Sequence, residues 1–330
     1  MNVLLVTTWE IPCGIAEHSA MLKDAVEASD PTIQITPSAL ALDPTQRNPH
    51  PPHQFDILHL NYQASLHSRW TPEVVREAKA SGEYKAVVIT YHDTGVPNSD
   101  QCKALCAVAD AVIVHEPFDD LPLGTVQYWR MGVPAPRIAY QFGKGHEVLN
   151  TDRFKAWWGQ PVLGTIGFAF PWKNYDRLAE VTAAMGWALL IIAPDASPDQ
   201  VKAWYQINPA LCVYPEFVDR GRAISLLGGC DATAFLYVCH NTGQSGAVLQ
   251  GIAARKPVIA LKTCRQFRAL YADPLGRATI KWAETFEDVA AHLRNVRLQR
   301  CDPGIVALAE QESWTHLGAK YAALYQRLIS

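Results

Sequence analysis

Short apolar runs closed by polar residues, Gly or Pro recur along the chain, and helix-like segments separate them. In the first half these runs are Val3–Thr7, Ile57–Leu60, Ala86–Thr90 and Ala111–Val114. In the second half they are Val162–Ile166, Leu189–Ala193, Leu211–Tyr214, Ala232–Tyr237 and Val258–Leu261. Continuous apolar strands alternating with amphipathic helices belong to a parallel sheet covered on both faces. Two such series predict two Rossmann-like, doubly wound α/β domains, residues 1–145 and 160–312. The stretch from Gly143 to Pro161 holds no strand pattern and is the predicted hinge. Trp314, Leu317, Tyr321, Leu324 and Leu328 fall at helical spacing and predict an amphipathic helix over 313–330 that packs back on the first domain. Asp43–Gln54, rich in Pro and polar residues, is expected to be a surface loop.

Composition narrows the class without naming a chemistry. With 330 residues, 49% of them apolar and 18% charged, the chain suits a two-domain globular protein and no disordered class. A net charge of −3 carries no global signal for nucleic acid or membrane. The longest apolar runs, such as Trp187–Ala193, fall far short of the roughly 18 residues of a membrane helix. MNVLLVTTWEIP lacks a basic leader and reads as a first buried strand rather than an export signal. Eight cysteines without a CxxC pair predict neither a zinc site nor a disulfide framework, but reduced thiols in a cytoplasmic protein.

In open α/β sheets, ligands bind beyond the carboxyl ends of the strands, so the residues just after each run hold the candidate chemistry. Gly14 follows the first run in a turn that opens a helix, where glycine is expected for conformational freedom. His92 and Asp93 follow the third run, while Glu17 is a nearby carboxylate. His59 and His115 occupy similar strand ends and are read as structural. In the second half, GFAFPWKN over Gly167–Asn174 follows the first strand. Gly243, Ser245 and Gly246 lead into the helical pattern Ala247–Ala254. Free N–H groups and the positive end of the helix dipole favour a phosphate there, and the Lys173 ammonium is placed to neutralise a diphosphate. No DxD-like acidic pair sits at a strand end, so the expected chemistry is metal-independent and no metal ligands are assigned. The strand ends of the two domains are expected to face each other across a cleft.

At these residues the chain resembles retaining glycosyltransferases of the GT-B architecture, in particular glycosyltransferase family 4. CGIAEHS (13–19) resembles that family's CGIAEY-type loop, and GFAFPWKN its glycine-to-lysine element. VYPEFVDRGRAISLLGGCDATAFL (213–236) and TGQSGAVLQGIAARKPVIA (242–260) are similar to its next two elements, and SWTHLGAKYAALYQRL (313–328) to its closing helix. The resemblance implies a hexosyltransferase-like enzyme that moves a sugar from a nucleotide diphosphate sugar to an acceptor hydroxyl, with no cofactor. It implies catalytic roles for His92, at the donor sugar, and for Lys173. It also implies donor contacts at Gly14, Phe168, Phe217, Thr242, Gly243, Gln244, Ser245, Gly246 and Gln250. Departures are specific: the family's two glutamates fall on Thr242 and Gln250, and its frequent arginine on Phe168. Those losses motivate a rival reading, an inactive relative acting as a binding or partner subunit. The acceptor is a carbohydrate or small molecule, or a nucleic acid. Only the basic residues between Gly251 and Lys281, with Asp273 as the lone acid, suggest the nucleic acid. A nucleotide-sugar epimerase on a similar fold is a third alternative.

Overall fold

The computed structural model describes residues 1–11, 13–39, 54–63, 67–92, 100–115, 126–134, 159–238, 244–296 and 301–330. Most of the predicted hinge and most of the Asp43–Gln54 loop lie outside these residues. The chain divides into two compact units, one of residues 1–132, 241–244 and 312–330, the other of 133–240 and 245–311.

Among the described residues the first unit holds six strands: β1 (Asn2–Val6), β2 (Gln34–Ser38), β3 (Ile57–Tyr62), β4 (Ala86–Tyr91), β5 (Ala111–Val114) and β6 (Val126–Tyr128). They form one parallel sheet in the order β2-β1-β3-β4-β5-β6. Alternation along each strand explains why both faces are apolar. Leu4, Leu58, Val87 and Val112 point to one core, with Val75 and Leu105. Val3, Ile57, Val88 and Ile113 point to the other, under the helices Gly14–Ser29 and Trp314–Ile329. The second unit repeats the plan with β7 (Val162–Ile166), β8 (Ala188–Ile192), β9 (Leu211–Tyr214), β10 (Ala232–Phe235), β11 (Val258–Leu261) and β12 (Lys281–Ala283). Its parallel order is β12-β11-β10-β7-β8-β9, with helices packed against the sheet. Among the described residues, no helix is long and apolar enough to cross a membrane.

The last helix is fixed by close contact and by polar tethers. A Cβ added at Gly318 would stand 2.5 Å from the backbone carbonyl of Ala25, so the two helices meet backbone to backbone. Beneath them, His59 Nδ1 lies 2.5 Å from the Tyr325 hydroxyl and His59 Nε2 lies 2.8 Å from Thr90 Oγ1. Thr90 Oγ1 is in turn 2.8 Å from the Tyr321 hydroxyl. Gly318→Ala is expected to destabilise this unit by about 2 kcal/mol, because overpacking outweighs the helix propensity gained. That corresponds to a melting temperature about 4–8 °C lower, read by calorimetry. A melting temperature at or above that of the parent would show that the helices part without cost.

Candidate active site

In the second unit the strand order reverses between β7 and β10, the position where an α/β sheet opens a crevice at its carboxyl edge. Gly167 directly follows β7 with φ +134°, a conformation L side chains rarely adopt. A Cβ there would lie 1.9 Å from Lys173 Nζ, so a second reason for glycine is space for the ammonium. Lys173 closes the short Pro171–Lys173 turn and is only 6% exposed. Its Nζ sits 4.7 Å from the centre of the Tyr237 ring and 5.3 Å from that of Trp172. Asn174, in the left-handed region at φ 55°, donates from Nδ2 to the carbonyls of Trp172 and Leu236 at 3.1 and 2.8 Å. Val238 N–H donates to the Trp172 carbonyl, completing the brace between the lysine turn and the end of β10.

Tyr237 connects this brace to the next helix. Its hydroxyl donates to the Ile166 carbonyl at 2.9 Å, and burial pushes its pKa far up, so it stays a neutral phenol beside Ser245. Ser245 is the N-cap of the Gly246–Ala253 helix yet makes no side-chain capping bond. The first-turn N–H groups therefore keep the polarity that a capping side chain would have used. A Cβ at Gly246 would meet nothing within 4 Å, whereas one at Gly251 would stand 2.4 Å from the Phe235 ring. The first glycine thus leaves room for a ligand, and the second lets the helix sit on β10. One turn along, Gln250 has its Oε1 buried with no hydrogen-bond partner, an acceptor suited to a hydroxyl. Phe168 and Phe217 are 37% and 44% exposed, large apolar rings near water at this edge. Gln244 accepts from Met131 N–H through Oε1 at 2.6 Å. Thr242, Gly243 and Asp93 lie outside the described residues. Lys262, in the basic segment, is paired with Glu284 at 2.8 Å.

The first unit carries its own cluster at the carboxyl edge of its sheet. His92 and His115 are the residues directly after β4 and β5, and His18 lies on the second turn of the helix after β1. The ring centroids of His18 and His92 are 4.5 Å apart, those of His18 and His115 5.3 Å, and those of His92 and His115 5.2 Å. One ring nitrogen of each lies within 4.8 Å of one from each of the others. Burial, then the neighbouring imidazoles, holds His18 and His92 well below the usual histidine pKa. Burial also lowers His115 to about 4, against a bond to the Trp129 carbonyl. All three rings are therefore neutral at pH 7. Neither nitrogen of His18 has a hydrogen-bond partner, nor does His115 Nε2. Each such buried, unsatisfied group costs about 1–3 kcal/mol.

The sequence singles out Lys173 and His92 as candidates, while His18 was passed over and His115 was read as structural. The usable signal was position: His92 and His115 share the place immediately after consecutive strands. The expected need for glycine at Gly14 is corrected. Gly14 is the first helical residue, its φ is not positive, and a Cβ there would meet nothing within 4 Å. What glycine provides at Gly14 is open space, not a turn conformation.

Solved structures similar to this one include HepE from Anabaena in complex with UDP and glucose, at 14% identity and TM-score 0.63 over 99% of both chains. Sucrose-phosphate synthase from Thermosynechococcus elongatus matches at 15% identity and TM-score 0.70, over 99% of this chain and 98% of that one. A glycosyltransferase from Rickettsia africae matches at 12% identity and TM-score 0.65, over 100% and 98%. No protein-family model matches the chain, and no curated protein matches it by sequence. What this likeness establishes is the fold: two α/β units on parallel sheets, as in GT-B glycosyltransferases.

Proposed function

We propose that the protein transfers a glycosyl group from a nucleotide diphosphate sugar to an acceptor hydroxyl, retaining the anomeric configuration and without a cation bound to the diphosphate. The observation that carries this reading is the buried Lys173 ammonium held against Gly167 at the β7–β10 switch point, where the uncapped Gly246–Ala253 helix also begins. A cation and a helix N-terminus at one sheet edge suit a diphosphate, and they stabilise it most when it leaves. The solved complexes of HepE with UDP and with UDP and glucose support the same ligand class. Phe168 and Phe217 would flank the nucleotide, and Gln250 Oε1 would accept from a ribose hydroxyl.

Thermal shift and calorimetry against nucleoside diphosphates and nucleotide sugars, followed by transfer assays, test the proposal. A stabilising nucleotide together with transfer from its sugar is the expected result. If no nucleotide binds and no sugar is transferred, the inactive relative suggested by Thr242 and Gln250 replaces it. Gln250→Glu is expected to tighten nucleotide binding by about 1 kcal/mol, roughly fivefold in Kd, because a charged acceptor holds a hydroxyl more strongly. Unchanged or weaker binding would remove Gln250 from the ribose.

A further inference from the structure

Hydrogen bonds around the three imidazoles of the first unit determine which nitrogens carry lone pairs. His115 Nδ1 lies 2.7 Å from the Trp129 carbonyl oxygen, which only accepts, so Nδ1 bears the proton and Nε2 the lone pair. For His92 the same logic runs through a longer chain. Ser19 Oγ donates to the Ile15 carbonyl at 2.8 Å and so receives the bond from Asn61 Nδ2 at 2.6 Å. Asn61 is thereby oriented with its amide oxygen toward His92 Nε2, 2.5 Å away. Nε2 donates, and Nδ1 of His92 holds the lone pair. Two of the three rings are thus anchored through one N–H to a carbonyl-type oxygen, the arrangement that orients imidazole ligands around a metal. The third, His18, is 1% exposed with neither nitrogen satisfied, and His115 Nε2 is likewise buried without a partner.

We propose that His18, His92 and His115 bind one transition-metal ion of the Zn²⁺ type through one nitrogen each, with a fourth position open at the carboxyl edge of the first sheet. Three neutral nitrogen donors without a carboxylate select a borderline-soft ion over Mg²⁺ or Ca²⁺. Zinc–imidazole bonds of about 2.0–2.1 Å require each nitrogen to move inward by less than about 1 Å, within reach of small ring rotations. Three imidazoles plus a fourth, exchangeable position is the ligand set of catalytic rather than structural zinc, and half-buried His92 leaves a way in. The ion would belong to the first unit and differ in kind from a cation bridging phosphates. His92 would then be a metal ligand in place of the donor-sugar contact that the resemblance implies.

The test uses the full chain, freed of metal with a chelator and titrated with Zn²⁺ against a chromophoric indicator, in the absence of nucleotide sugar. Its outcome is therefore separate from that of the glycosyl-transfer proposal. One ion per chain is expected. His18→Gln, His92→Gln and His115→Gln should each weaken binding more than about 100-fold, and Asn61→Leu, which removes the acceptor that orients His92, about 10–100-fold. His292→Gln, in the second unit, should leave it unchanged. Circular dichroism reports whether each variant is folded. The parent protein titrated with Co²⁺ supplies a readout independent of any variant: visible bands of a nitrogen-bound tetrahedral or five-coordinate ion. Absence of stoichiometric binding overturns the proposal. So do folded histidine variants that bind like the parent, or a thiolate-to-cobalt charge-transfer band.

Discussion

Lys173→Ala is expected to lower turnover about 30- to 1,000-fold, the equivalent of roughly 2–4 kcal/mol of transition-state stabilisation lost with one preorganised charge. The lysine is suited to that role because its position is set before any ligand arrives. Gly167 leaves the space, the Tyr237 and Trp172 rings flank the ammonium at 4.7 and 5.3 Å, and the Asn174 bonds hold the turn. An ammonium already in place costs no reorganisation as charge develops on the departing phosphate. The loss should appear mainly in kcat, because the charge on the diphosphate rises in the transition state. Alanine also removes a buried aliphatic stem, so Lys173→Met serves as the partner variant, keeping the volume and deleting the charge. Both variants should lose turnover, while the methionine variant keeps the parent melting temperature. Near-normal turnover of Lys173→Met would mean that the ammonium takes no part in the chemistry.

The nine strands visible as apolar runs are the interior strands of both sheets and one edge strand, β9. The three that were not visible, β2, β6 and β12, all lie at sheet edges. Among the described residues each has a strand neighbour on one side only, so it needs no long apolar stretch: β2 is QITPS, with a proline an edge tolerates, while β6 and β12 are VQY and KWA. The position of Lys173 was legible because it depends on local geometry, a strand end and the turn after it. His18 was not. Its contribution depends on how the Gly14–Ser29 helix is rotated over the sheet, and that rotation is set by Leu22, Val26 and the closing helix rather than by residues near it in sequence. Nor could sequence show that Ser245, at the N-cap of its helix, makes no side-chain capping bond.

Acid should destabilise the first unit through His59, a histidine that is not among the proposed metal ligands. Burial lowers its pKa to about 3, against roughly 6.5 in the unfolded chain. Above pH 6.5 the ring is neutral in both states and the full stability is present. As the pH falls below 6.5, the unfolded chain takes up a proton that the folded chain refuses, so stability declines with pH until about 3. By pH 4.5 this one group removes roughly 2.7 kcal/mol, two pH units at about 1.36 kcal/mol each. The structural reason is that both ring nitrogens already face hydroxyls, those of Tyr325 and Thr90, inside a core with no carboxylate bonded to the ring. Tyr325 belongs to the closing helix, so protonation works against its docking as well. His59→Gln keeps an acceptor and a donor but cannot titrate. It is expected to cost stability at pH 7 yet to show a flatter fall between pH 6.5 and 4.5, by up to the same roughly 2.7 kcal/mol. Denaturant unfolding of both proteins across that range measures the difference. Parallel stability–pH curves would show that His59 is protonated in the fold and that its burial carries no acid sensitivity.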